Sequence, residues 1–160
     1  MTQFSIRPAT AADVAPIQSM IMELAVFEKL EHLVASTEAL LHEGLFGARP
    51  SCEAIIGEED GKVVCFALFF HNFSTFLTKK GLYLEDLYVK QAHRGKNIGT
   101  RMLQRLAQLA IERGCGRFEW SVLDWNEPAI NFYKAMGADV MPDWRICRVT
   151  GESLTALAGR

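Results

Sequence analysis

One uninterrupted segment, Leu82 to Arg113, constrains this chain most: a strand, a basic glycine-bearing loop and an amphipathic helix follow one another. Leu82 to Val89 carries the aliphatic and aromatic residues of a strand. Gln91 to Gly99 is a loop by composition. From Gly99 to Arg113, Met102, Leu103, Leu106, Leu109, Ala110 and Ile111 form a broad apolar face, and Gly114 is a natural stop. A tight loop entering a helix leaves backbone N–H groups without partners at the positive end of the helix dipole. That is an anion site suited to a pyrophosphate. In Arg94-Gly95-Lys96-Asn97-Ile98-Gly99 the glycines let a ligand approach the backbone, while Arg94, Lys96 and Arg101 add mobile positive charge. The spacing is neither GxGxxG nor a P-loop, so dinucleotide and ATP sites do not fit. On composition alone, a surface turn with solvated basic residues explains the loop at least as well.

The flanking segments complete an α+β pattern. Phe4, Ile6 and Pro8 suggest a first strand, and Thr10 and Asp13 stand at capping-box spacing ahead of a helix through Leu24. Pro16 is tolerable there if it lies in the first turn. Thr37 caps a short second helix with Leu40, Leu41 and Leu45. Cys52 to Gly57 and Lys62 to Phe70 flank Glu-Glu-Asp-Gly, a hairpin signal, and His71 to Lys80 is a polar connection. Phe118 to Leu123 reads as a strand, Asp124 to Pro128 as a turn into a helix ending at Gly137, and Trp144 to Val149 as a last strand.

The 160 residues fit one domain, 1–160, and about half of them are apolar, enough for a core. A net charge of -2 offers no basic excess for nucleic acid. Cys52, Cys65, Cys115 and Cys147 form no CxxC pair and read as buried thiols of a reducing compartment. The four histidines lack metal-site spacing, so no metal is expected. The start has no signal-peptide character and the longest apolar run, Val63 to Phe70, is too short for a membrane. A cytoplasmic chain without membrane or nucleic-acid partners is expected.

Together, FSIRPATAAD, YLEDLYV, RGKNIG and LDWNEPAINFYKAMGA resemble the GNAT superfamily of N-acetyltransferases, and within it the diamine and thialysine (spermidine/spermine acetyltransferase-like) family, over nearly the whole chain. The superfamily's phosphate-loop signature is Arg/Gln-x-x-Gly-x-Gly/Ala. Arg94 and Gly99 match its ends, and Asn97 replaces the middle glycine. Asparagine is the residue after glycine best able to take left-handed angles, so the loop can still form, and coenzyme affinity is the property this departure touches. The resemblance implies a single-domain GNAT fold, a mixed, mostly antiparallel sheet flanked by helices and splayed around the fourth and fifth strands. It also implies acetyl-CoA as co-substrate, a small cationic amine as acceptor, and a homodimer. The phosphates would meet Arg94, Gly95, Lys96, Asn97, Ile98, Gly99 and Thr100, and the pantetheine arm would lie along Leu87, Tyr88 and Val89.

The chemistry sets three tasks. An alkyl ammonium has a pKa near ~10.4, so only about one molecule in 10³ is the free-base nucleophile at neutral pH. The protein must remove that proton, stabilise the oxyanion and protonate the departing thiolate. Glu85 sits mid-strand on a face expected to carry Tyr83, Leu87 and Val89, which predicts a desolvated carboxylate of raised pKa, with Asp86 on the opposite face. A solvated strand charge explains Glu85 equally well without the resemblance, which implies a base acting through water. Tyr133 alone reads as a packing residue of an amphipathic helix; the resemblance, through Asn126 and Tyr133, implies the general acid. Asn126 contacts the coenzyme, caps the helix, or both. A backbone N–H near Leu87 is implied for the oxyanion. Phe27 and Glu28 match acceptor-side positions, although Glu28 alone reads equally as a solvated helix residue. Trp144 matches an acceptor-channel aromatic, or else is a core residue of an edge strand. Thr75 and Leu77 stand where polyamine-specific relatives carry aspartate and tryptophan, which favours a shorter lysine-like or thialysine-like amine. The competing readings are a protein or antibiotic N-acetyltransferase and a catalytically silent acyl-CoA-binding regulator.

Overall fold

The computed structural model describes residues 2–160. Their contacts divide the chain into a compact unit up to Ser121 and a second from Val122 to Arg160. In the first, strands β1 (Phe4–Pro8), β2 (Glu53–Glu59), β3 (Lys62–Ser74), β4 (Lys79–Val89) and β5 (Phe118–Trp120) form one sheet in that order. All neighbours are antiparallel except β4 and β5, which run parallel. The helices are α1 (Val14–Glu28), α2 (Glu38–Phe46) and α3 (Ile98–Glu112).

Local chemistry explains the boundaries. Asp13 closes a short 3-10 turn before α1, accepting from Thr10 N at 2.7 Å and from the Arg7 guanidinium at 2.7 and 2.9 Å. Pro16 falls in the first turn, where no N–H is missed. Thr37 caps α2 by accepting from Leu40 N at 3.2 Å. Asp60 and Gly61 turn the β2–β3 hairpin with φ of 50° and 76°.

One face of the sheet packs Ala54, Ile56, Phe66, Leu68 and Tyr88 against Val14, Ile17 and Met20 of α1 and Leu41 and Leu45 of α2. Helix α3 packs on β4 and buries Ile98, Met102, Leu103, Leu106 and Ala110. This spacing is the period of a helix with one apolar face.

Three sequence expectations are corrected. The polar stretch after Phe70 is strand rather than connection: the β3–β4 ladder runs on to Ser74 opposite Lys79, leaving Thr75–Thr78 as its tip. An antiparallel hairpin satisfies its backbone within itself, so it needs no apolar side chains there. The strand expected over Phe118–Leu123 stops at Trp120. All four cysteines are free thiols, but only Cys65 is buried and Cys147 is exposed.

The second unit holds α4 (Glu127–Ala135) and α5 (Gly151–Leu157). Trp144–Val149 forms no strand; these residues are exposed and pair with no ladder. Alternating apolar residues there give strand propensity, yet a strand exists only where a partner strand satisfies it.

Candidate active site

The parallel β4–β5 ladder begins at Leu82–Phe118 and ends at Leu84–Trp120. Beyond it, Asp86–Val89 keeps its ladder to β3 while no further pair with β5 forms. Strand β5 itself ends at Trp120, which leaves the far half of β4 as an edge of the sheet. An edge strand offers backbone N–H and C=O groups to an extended ligand. Leu87 lies in that edge. Tyr88 offers neither group there: its ring is buried, its hydroxyl donates to Glu23 at 2.9 Å, and its main chain faces Phe66 of β3, two residues along from the bond of Lys90 N to Val64 O. The carbonyl of Val89 already accepts from Arg94 Nε at 3.0 Å.

A bulge marks the start of this edge. Leu84 lies opposite Phe69 and Asp86 opposite Leu68, so Glu85 is an extra residue. The bulge overturns the simple alternation expected for β4. Tyr83, Asp86 and Tyr88 share one face, and Leu84, Leu87 and Val89 the other, as their partners on β3 require. Glu85 is exposed, not desolvated among Tyr83, Leu87 and Val89. Burial instead acts on Asp86, whose pKa is pushed up to about 6, first by desolvation and then by the charges of Glu85 and Glu28. Glu28, at the end of α1, is also raised by burial. Three carboxylates therefore converge from α1 and β4. The sequence pointed to Glu28 and Glu85, and missed Asp86 as the most perturbed because no local pattern announces a bulge. The exposed ring of Phe27 lies beside them in sequence, 5.2 Å from the Arg94 guanidinium, which also covers Tyr88 at 5.3 Å. An open groove of about 710 Å³ runs between Met22, Val26 and Phe27 of α1 and Tyr88 and Arg94.

The phosphate-type loop forms despite its missing glycine. Asn97 adopts φ 61° and ψ 17°, the left-handed conformation, directly before α3. Gly95 is left-handed too, with φ 78°. The first N–H groups of Ile98, Gly99 and Thr100 then have no acceptor one turn back within the helix. The side chain of Ile98 is core, so only its backbone serves the loop. The basic side chains are anchored rather than mobile. Lys96 Nζ sits 3.2 Å from Glu59, and Arg101 donates to Phe4 O at 3.3 Å while lying over the Phe4 ring at 4.3 Å.

In the second unit, Asn126 caps α4 by accepting from Ala129 N at 3.4 Å. Tyr133 follows it by two turns, on the same helical face, half-buried, its ring 5.5 Å from that of Phe132. Trp144 is 77% exposed, so it is not a core aromatic.

Among the described residues, no group of three His, Cys, Asp or Glu side chains could hold a metal ion, and no helix is long and apolar enough to cross a membrane. Chemically, the first unit combines an anion-binding helix start, a strand edge and a cation-attracting acidic cluster.

Comparison with known proteins gives that combination a context. Residues 19–138 match the model of the acetyltransferase (GNAT) family. The chain is 39% identical to a thialysine N-epsilon-acetyltransferase of Mus musculus, with both chains covered completely. It is 35% identical to the L-ornithine N5-acetyltransferase NATA1 of Arabidopsis thaliana, across 95% of this chain and 86% of that one. Among solved structures, an integron cassette protein from the mobile metagenome of V. cholerae superposes with a TM-score of 0.82 at 27% identity, covering 98% of each chain.

Proposed function

The chain belongs to the acetyltransferase (GNAT) family, and from that premise we propose that it moves the acetyl group of acetyl-CoA onto a small cationic amine of the thialysine, lysine or diamine type. The carrying observation is the cluster of Glu28, Glu85 and Asp86 beside the edge of β4. Three carboxylates favour a cation over a neutral or anionic acceptor. Relatives named for thialysine and ornithine acetylation support the same class.

The residues fit acetyl-CoA. The start of α3 suits its pyrophosphate, and the edge Glu85–Val89 suits an extended arm carrying amide groups. Acetyl-CoA supplies the activated acetyl group as a thioester. In this reading Glu28 and Asp86 hold the ammonium and Glu85, exposed at the bulge, takes its proton through solvent. The backbone N–H of Leu87 is offered to the developing oxyanion, and Tyr133 gives its hydroxyl proton to the departing sulfur. Asn126 fixes the start of the helix that carries Tyr133. The same reading assigns Phe27 and Trp144 to the acceptor.

The two compact units form one domain in this reading, because the family match runs through their boundary. We also read the protein as a cytoplasmic homodimer. Its four free thiols support the first and the exposed apolar residues Val140, Met141, Ile146 and Leu157 the second.

The deciding experiment is thiol release from acetyl-CoA across a panel of thialysine, lysine, ornithine, diamines, polyamines, aminoglycosides and peptides. Turnover on small diamino compounds well above that on peptides is expected. Turnover confined to peptides or aminoglycosides replaces the acceptor class, and coenzyme binding without any turnover replaces the enzyme by a binding protein.

A further inference from the structure

Glu59 ends β2 opposite Phe4 of β1. Its side chain is only 8% exposed, which is rare for a carboxylate without partners. Its partners both come from the far side of the sequence. It accepts from Lys96 Nζ at 3.2 Å and contacts Nδ1 of His93. Both cationic and imidazole partners hold its carboxyl below the usual carboxylate range, His93 foremost. His93 closes the turn before the phosphate-type loop, and Lys96 lies inside that loop between left-handed Gly95 and Asn97. At the loop's apex Gly95 adds no packing: a Cβ there would meet nothing within 4 Å. One turn into α3, Arg101 is fixed to Phe4. The same end of the β1–β2 pair thus grips the loop and the helix it feeds.

We propose that Glu59 is a positioning residue for acetyl-CoA, fixing the loop through His93 and Lys96 so that the N–H groups at the start of α3 stand ready for the phosphates. This rests on reading that loop as the coenzyme site. Ordering the loop in advance removes an entropic loss that binding must otherwise meet. A lone carboxylate so close would repel phosphate; here its partners offset that charge while it holds them in place.

The test is steady-state kinetics of the parent, Glu59→Ala, Glu59→Gln and His93→Ala proteins, with acetyl-CoA and with acetyl-pantetheine, a donor lacking phosphates. Glu59→Ala is expected to raise KM for acetyl-CoA about tenfold, with kcat and the acetyl-pantetheine KM held within about twofold. Glu59→Gln, which keeps an acceptor at the same reach, is expected to recover most of that loss. An acetyl-CoA KM for Glu59→Ala equal to or below the parent's overturns the inference, as does a parallel rise with acetyl-pantetheine. If Glu59→Ala does not fold, His93→Ala carries the test: a rise of about threefold in acetyl-CoA KM alone supports the inference, and no change overturns it. A parent protein that binds no acetyl-CoA removes the functional reading itself, before any variant is compared.

Discussion

Asp86 stands directly opposite Leu68 on the neighbouring strand, on the sheet face that buries Phe66, Leu68 and Tyr88, while Glu85 beside it is the extra residue of a bulge. A carboxyl is thereby pressed toward an apolar core and a second left in solvent, so two adjacent acids acquire different chemistry from one backbone irregularity.

The pH dependence of stability follows from that placement. The folded pKa of Asp86 is raised from 3.8 to about 6, so the folded protein holds this proton more tightly than the unfolded chain does. Ionisation is therefore unfavourable to folding: no penalty acts below pH 3.8, and the full penalty, up to about 3 kcal/mol, acts above pH 6. Asp86→Asn is expected to be the more stable protein at pH 7 to 8, with the gap closing toward pH 4. Denaturant unfolding across that range checks this, and a pH-independent gap refutes it. The same variant is expected to raise KM for the amine.

The acid assignment is tested at one atom. Tyr133→Phe removes the hydroxyl and leaves the ring, which contacts Phe132. Thiol release is expected to fall by about 10² or more, with the native fold retained by circular dichroism. Full turnover in that protein excludes Tyr133 as the acid.

Asn97 offers a backbone test. Its φ of 61° is accessible to glycine and asparagine and strained for a β-branched residue. Asn97→Gly is expected to keep the acetyl-CoA KM within about threefold, whereas Asn97→Val, strained by roughly 1 to 2 kcal/mol, is expected to raise it about tenfold or more. Calorimetry with CoA reads both.

Arg7 and Asp13 supply a test of the scaffold alone. Asp13 is 3% exposed and takes bonds from Arg7 and from the start of the α1 turn. Its pKa is lowered, first by Arg7, so its contribution is present above pH 3.8 and is lost as the pH falls through its folded value. Asp13→Ala is expected to cost about 3 kcal/mol at pH 7, and less in acid, by chemical denaturation.

The legible parts of the sequence were those set by local chemistry. Thr10, Asp13, Thr37 and Asn126 announced helix starts, and the apolar face of Met102, Leu103, Leu106 and Ala110 announced α3. Three features depend on distant partners and left no local sign. The bulge at Glu85 arises from register with Leu68 and Phe69. The Glu59 contacts span 34 and 37 residues. Trp144–Val149 has strand composition without a ladder to join. Helix α5 went unread because Gly151 at its start and only seven residues give little periodicity.

The parting of β4 from β5 after Leu84 has an evolutionary corollary. A ligand arm met by main-chain groups of Glu85–Val89 is recognised without regard to which side chains stand there, since every residue but proline carries the same donor and acceptor. In the proposed arrangement, point substitutions on α1 and at the β3–β4 tip retune which amine is accepted while the handle for the shared donor survives. Such a division lets one scaffold diversify its acceptors and leave its supply of acetyl groups untouched.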